Sequence, residues 1–427
     1  TPGSVAGDST EIYQEGLRIP PIKLWRAGEL DRDLMEMITA NVRTPEERRG
    51  DLRAQAAANE TGRRRFLELI ERYGQELIIA AIEEILNYSG RRMRAELAAL
   101  PDGTYEYEDY LDNDGISGER ITIKVTVKLE GDELAVDFSG SSPQVDGPVN
   151  AVYAVTASAV YYTVRALTDP DIPANDGCYR PITIIAPEGT VVNALPPAAV
   201  VGGNLETSQR IVDVLIGALA RLMPEKAIGA CQGTMNNVTL GGSDPRWGRP
   251  YTLYETIAGG FGARTSKDGI DGIHCHMTNT LNTPIEALEI AYPLRVERYE
   301  LRPDSCGAGR WRGGLGIRRD IRVIGHRAKL SLLGERRITR PYGVFGGKPG
   351  VNGTDFIIIN GQERRIEGKG SVTLEPNSII SVRTPGGGGY GDPAERPGEL
   401  VHKDYRERRI SAEHALKHYG LDPREDQ

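Results

Sequence analysis

The sequence predicts an α+β fold, with a helical amino-terminal layer and a β-rich, glycine-turn-rich carboxy-terminal half. Apolar residues keep helical spacing before residue 100, alternate strictly with polar ones around 121–139, and form short runs between glycine turns after residue 250. At 427 residues the chain is too long for one ordinary domain. We therefore expect an arm and helical region at 1–110, an α+β region with a hairpin and an amphipathic helix at 111–250, and a β-rich region with a short terminal helix at 251–427.

The helical region follows an irregular arm at residues 1–30. A first helix is predicted over 29–40, because acidic residues at its start favour a helix amino terminus. A long helical stretch is predicted over 44–100. We expect Gly74 and Gly90 to divide it, since glycine is a poor helix former.

The middle and end of the chain alternate between strand and helix patterns. Apolar and polar residues alternate in the segment ITIKVTVKLEGDELAVDFSGS. This alternation predicts a β-hairpin over 121–139 with Gly131 and Asp132 at the turn. Further elements are predicted as a helix at 150–168, strand and turn at 182–194, an amphipathic helix at 208–223 and a short terminal helix at 411–418.

Charge and cysteine content exclude several classes of protein. The net charge is −8, with 52 basic and 60 acidic residues and no basic stripe, which argues against a nucleic-acid partner. No apolar run reaches the roughly 18 residues of a membrane span, so no membrane role is expected. The four cysteines are widely spaced without a CxxC pair, which indicates a reducing compartment and neither a zinc knuckle nor a disulfide scaffold. We predict a soluble cytoplasmic protein.

The segment GGNLETSQR (202–210) sets polar residues between glycines and the start of a helix. A cap on that helix by Thr207 or Ser208 would account for part of the pattern. Asn204 and Glu206 remain, and a carboxylate near a helix start can orient a substrate or a water molecule.

The segment CQGTMNNVTLGG (231–242) contains two consecutive amides, Asn236 and Asn237, between apolar residues. They either satisfy buried backbone groups or bind a polar ligand. Cys231 has no histidine near it in sequence, and we interpret it as a buried structural cysteine.

The segment DGIDGIHCHMTNTLNTPIEALE (268–289) is the most informative one. Asp271, His274 and His276 fall within six residues, and residues two apart share a face of an extended chain. The two histidines can thus point at one metal, substrate or water. The alternative is that they hold a turn by hydrogen bonds to Asn279, Thr280 and Asn282. His-x-His is a weak metal signal, so we favour active-site lining over direct metal ligation.

Three glycine-dense segments, at 307–320, 345–350 and 384–393, do not fit a phosphate-binding loop. Lys348 is followed by Pro349, where a P-loop requires Ser or Thr. GxSxG and HExxH are also missing from the sequence. We interpret the glycines as tight turns and expect ATP to bind elsewhere.

Several of these segments together resemble the hydantoinase B/oxoprolinase family. The resemblance covers essentially the whole chain in order. It is carried by STEIYQEGLRIPP (9–21), NVRTPEERRGDLRAQ (41–55), DIPANDGCYRPI (171–182), GGNLETSQRIVD (202–213), HMTNTLNTPIEALE (276–289), YPLRVERYELRPDSCGAGRWRGGLG (292–316), LLGERR (332–337), FGGKPG (345–350) and TPGGGGYGDP (384–393).

The resemblance implies a B-type subunit of an ATP-dependent cyclic-amide hydrolase. A partner A-type subunit would use ATP with Mg²⁺ to phosphorylate an inert amide or ketone oxygen. The B-type subunit then completes the reaction by water attack or, in the related acetone and acetophenone carboxylases, by forming a carbon–carbon bond. The substrate would be hydantoin, 5-oxoproline or a lactam.

The resemblance also implies Zn or Mn, held by Asp- and His-bearing motifs of a segment that precedes residue 1 of this sequence. Three alternatives stay open: that segment is a separate chain after cleavage, a separate polypeptide, or absent. No metal ligand is therefore transferred to this chain. Thr1 as an amino-terminal nucleophile is a minor alternative.

The leading hypothesis is a site that receives the activated cyclic amide, in which a histidine or glutamate moves the proton. Two alternatives stay open: a subunit of an ATP-dependent ketone carboxylase, and a non-catalytic scaffold for the A-type subunit. The candidate catalytic residues are Asp271, His274, His276 and Glu206, and the candidate substrate-binding residues are Asn204, Asn236 and Asn279.

Overall fold

The computed structural model describes residues 5–424, so Thr1 lies outside the described residues. It is a mixed α/β structure with several sheets. Its helices are α1 (Arg32–Ala40), α2 (Pro45–Tyr73), α3 (Gln75–Ala98), α4 (Tyr153–Leu167), α5 (Ser208–Leu219), α6 (Ile285–Ala291), α7 (Gly398–Arg406) and α8 (Ala412–Tyr419). Across residues 5–424, none of the helices combines the length and apolar character that crossing a lipid bilayer requires.

The strands are distributed over one short ribbon and three larger sheets. They are β1 (Trp25–Arg26), β2 (Glu29–Leu30), β3 (Gly103–Leu111), β4 (Ile121–Glu130), β5 (Glu133–Asp137), β6 (Ile182–Ile185), β7 (Asn237–Asp244), β8 (Arg249–Thr256), β9 (Leu294–Leu301), β10 (Ile317–Val323), β11 (Ala328–Leu333), β12 (Thr354–Ile359), β13 (Gln362–Ile366), β14 (Lys369–Leu374) and β15 (Ile379–Arg383). The predicted region boundaries at 110/111 and 250/251 fall within β3 and β8.

The predicted amino-terminal helices are present, but only one of the two predicted breaks is. Asp31 caps α1 by accepting a hydrogen bond from the backbone of Leu34 (3.1 Å), so the helix begins three residues later than predicted. Gly74 separates α2 from α3 with a φ of 82°. Gly90 instead lies within α3, where a side chain would come 3.1 Å from the carbonyl oxygen of Gly177. The predicted break at Gly90 is wrong because this glycine serves close packing.

The predicted hairpin is confirmed as β4 and β5, which pair in antiparallel fashion around Gly131. The sheet order is β3-β4-β5-β6, with β6 parallel to β5. Residues of β4 alternate between a buried face and a partly exposed face, as the sequence predicts, and the strand packs on α5. Helix α5 is thereby buried along almost its whole length.

The carboxy-terminal half contains two sheets that share one apolar core. Their strand orders are β14-β11-β7-β8 and β13-β12-β15-β10-β9, and their strand pairs are antiparallel. The segment after β11, residues 334–342, lies beside α5, where Arg336 and Tyr342 contact Asp213. Strand β3 packs on the same side of α5, and the start of β7 contacts Glu206, just before the helix.

Candidate active site

A π-helical turn, Gly203–Thr207, leads into α5. Such turns are rare and are frequent at functional sites. A side chain at Gly203 would lie 2.2 Å from the carbonyl oxygen of Asn150, so only glycine permits this approach. The hydroxyl of Thr207 donates to the carbonyl of Val149, and that of Ser208 to the carbonyl of Asn204 (2.8 Å). The predicted cap by Thr207 or Ser208 is wrong, because both hydroxyls donate to carbonyls.

The turn buries Glu206 completely and leaves Asn204 exposed. Glu206 Oε1 accepts hydrogen bonds from the backbone of Met235 (3.1 Å) and from Asn237 Nδ2 (2.8 Å). Oε2 is buried and has no hydrogen-bond partner among the described residues. Burial, with the charge of Glu335 adding to it, raises the pKa of Glu206 to about 7. A carboxyl group of this pKa can both give and take a proton near neutral pH.

Of the two amides that the sequence singled out, Asn237 holds this carboxyl group in place, and Asn236 bonds to other parts of the protein. Asn236, at a φ of 50°, donates to the carbonyl of Ile257 (2.9 Å) and accepts from Arg337 (2.6 Å). Asn237 also accepts a hydrogen bond from the hydroxyl of Tyr254 (2.7 Å). Tyr254 itself is 42 % exposed to solvent. Both amides thus have protein partners, which supports the first of the two alternatives left open by the sequence.

Charged side chains complete what we call the Glu206 cluster. Glu335 is fully buried, pairs with Lys369, and accepts a hydrogen bond from the backbone of Asp112 (2.8 Å). Burial raises the pKa of Glu335 above its ordinary value. The Glu206 cluster is defined as Glu206, Thr234, Asn236, Asn237, Glu335, Arg337 and Lys369.

His276 lies at a second polar site, farther along α5. Its side chain is 2 % exposed, and its ring is 5.9 Å from the rings of both Tyr162 and Phe261. Its Nε2 is 4.0 Å from Oδ1 of Asp213, and no described residue makes a hydrogen bond to either of these atoms. Burial lowers the pKa of His276, against the opposing effect of Asp213, so the ring is neutral near pH 7.

Two cysteines converge on the same histidine. Cys231 Sγ, Cys275 Sγ and a ring nitrogen of His276 all lie within 4.8 Å of one another. A cavity of about 440 Å³ reaches His276, and its wall includes Lys226 and Arg264. We call Cys231, Cys275, His276 and Asp213 the thiol–imidazole cluster.

Asp271 has a different environment from the one the sequence suggested. Its carboxylate pairs with Arg312 (2.9 Å) and Arg409 (2.9 Å) and accepts a hydrogen bond from the backbone of Leu315 (2.8 Å). Arg312 also pairs with Asp404 of α7 (3.0 Å). The structure therefore places Asp271 in an ion-pair network, outside the group that converges on His276.

The other candidate residues of the 268–289 segment also lie in environments different from that of His276. His274 Nδ1 is 3.2 Å from the hydroxyl of Thr278, and burial lowers the pKa of His274. Asn279 is exposed, and Asn282 donates to the carbonyl of Thr256 (2.9 Å). The assumption that His274 and His276 share one face fails because His276 has a φ of 51°, and such backbone is not extended.

The sequence interpretation missed Asp213 and Cys275. The amphipathic pattern of its helix predicts that Asp213 lies on the surface, but in the structure Asp213 is 0 % exposed. Cys275 is adjacent to His276, whereas Cys231 is distant in sequence, so no local spacing rule joins them. A usable signal was the polar run Gln209, Arg210 and Asp213 on a helix with otherwise apolar neighbours.

The raised pKa of Glu206 predicts a pH-dependent stability. In the unfolded chain the group ionises around its ordinary pKa of 4.5, whereas in the folded protein it keeps its proton up to about pH 7. The folded state thus binds more protons in this window, and the free energy of unfolding falls as pH rises through it, by roughly 3 kcal/mol in total. Glu206→Gln removes this contribution. In urea unfolding, the variant should gain stability over the wild type between pH 4.5 and pH 8; parallel profiles would contradict the assignment.

Comparisons with known proteins agree on one family. The family model described as Hydantoinase B/oxoprolinase matches residues 1–393. The B component of a putative D-/L-hydantoinase from a Pseudomonas species is 36% identical over 99% of this chain and 73% of the relative. The crystal structure of ATP-dependent caprolactamase from Pseudomonas jessenii superposes with a TM-score of 0.90 at 32% identity, covering 99% of this chain and 74% of that one. A nucleotide-free acetone carboxylase has a TM-score of 0.88 at 19% identity over 98% of this chain and 62% of that one, which shows a shared fold.

Proposed function

Because the chain belongs to the hydantoinase B/oxoprolinase family, we propose that it is the B-type subunit of an ATP-dependent hydrolase that opens cyclic amides. The observation that carries this proposal is the match along nearly the whole chain to the B component of a hydantoinase and to an ATP-dependent caprolactamase. The substrate class is a hydantoin, 5-oxoproline or a lactam. The implied partners are an A-type subunit that uses ATP with Mg²⁺ and the small-molecule substrate.

The chemistry requires both subunits. A cyclic amide carbonyl is a poor electrophile, and phosphorylation converts its oxygen into a leaving group. A first water adds to the carbonyl carbon and the ring carbon–nitrogen bond breaks, which leaves an acyl phosphate. A second water then attacks the same carbon, and inorganic phosphate departs with the original oxygen to leave the carboxylate. Each water must lose a proton and the ring nitrogen must gain one, so this half of the reaction needs a group that exchanges protons.

We assign that exchange to Glu206. Asn237 and the backbone of Met235 hold its Oε1, which leaves Oε2 without a partner in the described part of the chain. Its pKa of about 7 suits both directions of transfer. Asn204 is exposed on the same π-helical turn and is assigned to substrate contact. We propose that this turn forms half of a pocket that the A-type subunit completes.

The remaining predicted residues receive different roles. Arginines engage both carboxylate oxygens of Asp271, so we assign it to positioning the 268–289 segment. His274 and His276 keep the prediction that they line a site, which for His276 is supported by its position on the wall of the 440 Å³ cavity. Asn236 is assigned to holding the Glu206 cluster together, and Asn279, which is exposed, remains a predicted substrate-binding residue.

The Zn or Mn that the family resemblance implies does not fit the Glu206 cluster. Lys369 pairs with Glu335, and Arg337 is hydrogen-bonded to Asn236. These cationic groups repel a dication at the only carboxylates the cluster offers. No step of the proposed reaction on this chain is routed through such a metal. The cytoplasm remains the proposed location, supported by four cysteines that are all free thiols.

The function is tested on the complex of this chain with an A-type subunit. Mg-ATP is supplied with a hydantoin, with 5-oxoproline, with a lactam, or with acetone and bicarbonate. We expect ATP-dependent ring opening of at least one cyclic amide and no carboxylation of the ketone. ATP-dependent formation of acetoacetate without any ring opening would overturn the proposal in favour of a ketone carboxylase, for which the 19% identity supports only the fold.

A further inference from the structure

The reaction proposed above assigns proton exchange to Glu206 and gives the thiol–imidazole cluster no chemical step. We propose that Cys231, Cys275 and His276 bind a zinc-class divalent cation in the interior of this chain, beside the carboxylate of Asp213. Among the described residues, this is the one group of three or more His, Cys, Asp or Glu side chains whose ligand atoms converge closely enough to hold a metal ion.

The geometry is close to what zinc requires. Tetrahedral zinc binds sulfur at about 2.3 Å and nitrogen at about 2.0 Å, so adjacent ligand atoms lie about 3.5–3.8 Å apart. The two sulfurs and the imidazole nitrogen here are within 4.8 Å of one another. Inward movements of about 1 Å or less in the side chains therefore suffice, without rearrangement of the backbone.

Two unpartnered atoms point to an occupant. His276 Nε2 and Asp213 Oδ1 are 4.0 Å apart, and their side chains are only 2 % and 1 % exposed. A buried polar atom without a partner costs about 1–3 kcal/mol. Asp213 Oδ2 accepts a hydrogen bond from Arg336 (2.7 Å), whereas Oδ1 has no such partner among the described residues. A cation bound by His276 Nε2 satisfies that atom, and the charge of the nearby carboxylate attracts the cation.

The surrounding charges accommodate a dication. Arg210 and Arg336 lie beside Asp213 and Asp109, so these two arginines balance the two aspartates. A bound dication displaces one proton from each thiol, and its two charges are balanced by the two thiolates. The site is thus neutral in both states, which a buried position favours.

The ligand types select the metal. Thiolate and imidazole together suit zinc, whereas manganese prefers carboxylate, carbonyl and water oxygen. His276 also lines the cavity of about 440 Å³. The site and the Glu206 cluster share no proposed ligand, so cobalt binding and ring opening are measured separately and either proposal can fail without the other.

The test uses cobalt as a spectroscopic substitute for zinc in the purified, reduced full chain. We expect one cobalt per chain that shows an intense thiolate-to-cobalt charge-transfer band, with zinc displacing it. The band should be lost, or the cobalt affinity lowered at least 10-fold, in Cys231→Ser and in Cys275→Ser. The matched control is Cys178→Ser, a buried thiol that donates to the carbonyl of Asn175 (3.0 Å), and it should keep the band.

The charge-transfer band also separates this site from any cobalt bound only by oxygen and nitrogen, which lacks it. The proposal is overturned if the reduced wild-type chain gives no such band, a result that does not depend on any variant folding. It is also overturned if the band persists unchanged in Cys275→Ser. A Cys231–Cys275 disulfide in the isolated protein that reduction does not convert into a metal-binding form would identify a redox pair instead.

Discussion

Glu206→Gln in the complex with the A-type subunit is expected to lower ATP-dependent ring opening by about 100-fold or more. Glutamine keeps the shape of the side chain, and its amide oxygen still accepts the hydrogen bonds of Asn237 and the Met235 backbone. It cannot exchange a proton, and general acid–base catalysis typically contributes about 10²–10⁴ in rate. The measurement is the turnover of the ring-opened product at saturating ATP, with complex formation checked by size-exclusion chromatography.

The matched control is Glu289→Gln in α6, whose carboxylate also accepts a backbone hydrogen bond, from Val296 (3.0 Å). Turnover of this control should stay within about 2-fold of the wild type. If Glu206→Gln keeps wild-type turnover in an intact complex, Glu206 does not exchange the proton. Such a result would favour the scaffold alternative, in which this chain only supports the A-type subunit.

Arg312→Met is expected to lower the free energy of unfolding by about 3–5 kcal/mol. The Arg312 side chain is fully buried and pairs with Asp271 (2.9 Å) and Asp404 (3.0 Å). Removing the guanidinium leaves two buried carboxylates with fewer cationic partners, and the desolvation of those charges is then less compensated. The measurement is urea unfolding of the full chain at neutral pH.

Arg327→Met is the matched control for that experiment. Arg327 pairs with Glu375 at a similar distance (2.9 Å), but its side chain is 72% exposed. Exposed pairs contribute about 0–1 kcal/mol, so this substitution should change stability little. Equal losses in the two variants would contradict the structural role given to the Arg312 network, and with it the positioning role of Asp271.

The fold was predictable where a local pattern decides the structure. The alternation over 121–139 determines which residues face the core, and the hairpin of β4 and β5 follows from it. Gly74 and Gly90 look alike in sequence, yet only Gly74 ends a helix. Gly90 faces the backbone of Gly177, and a contact between segments so distant in sequence leaves no local signal.

The candidate site was predictable in part for the same reason. The sequence singled out Glu206 because capping of the next helix does not account for a glutamate at this position. In the structure its side chain is buried because it lies on the turn before α5. Asp271 was grouped with the histidines by nearness in sequence, but its partners Arg312 and Arg409 come from later segments. Cys231 was interpreted as structural because no histidine lies near it in sequence, and Cys275 and His276 approach it only in the folded chain.

The most direct test of the account is an omission experiment on the two subunits. This chain, the A-type subunit and their mixture are each incubated with Mg-ATP and the cyclic amide, and ADP and ring-opened product are quantified. We predict that only the mixture forms product, with one ADP for each ring opened. Product formed from ATP by this chain alone would contradict the division of labour on which the proposed function and the role of Glu206 depend.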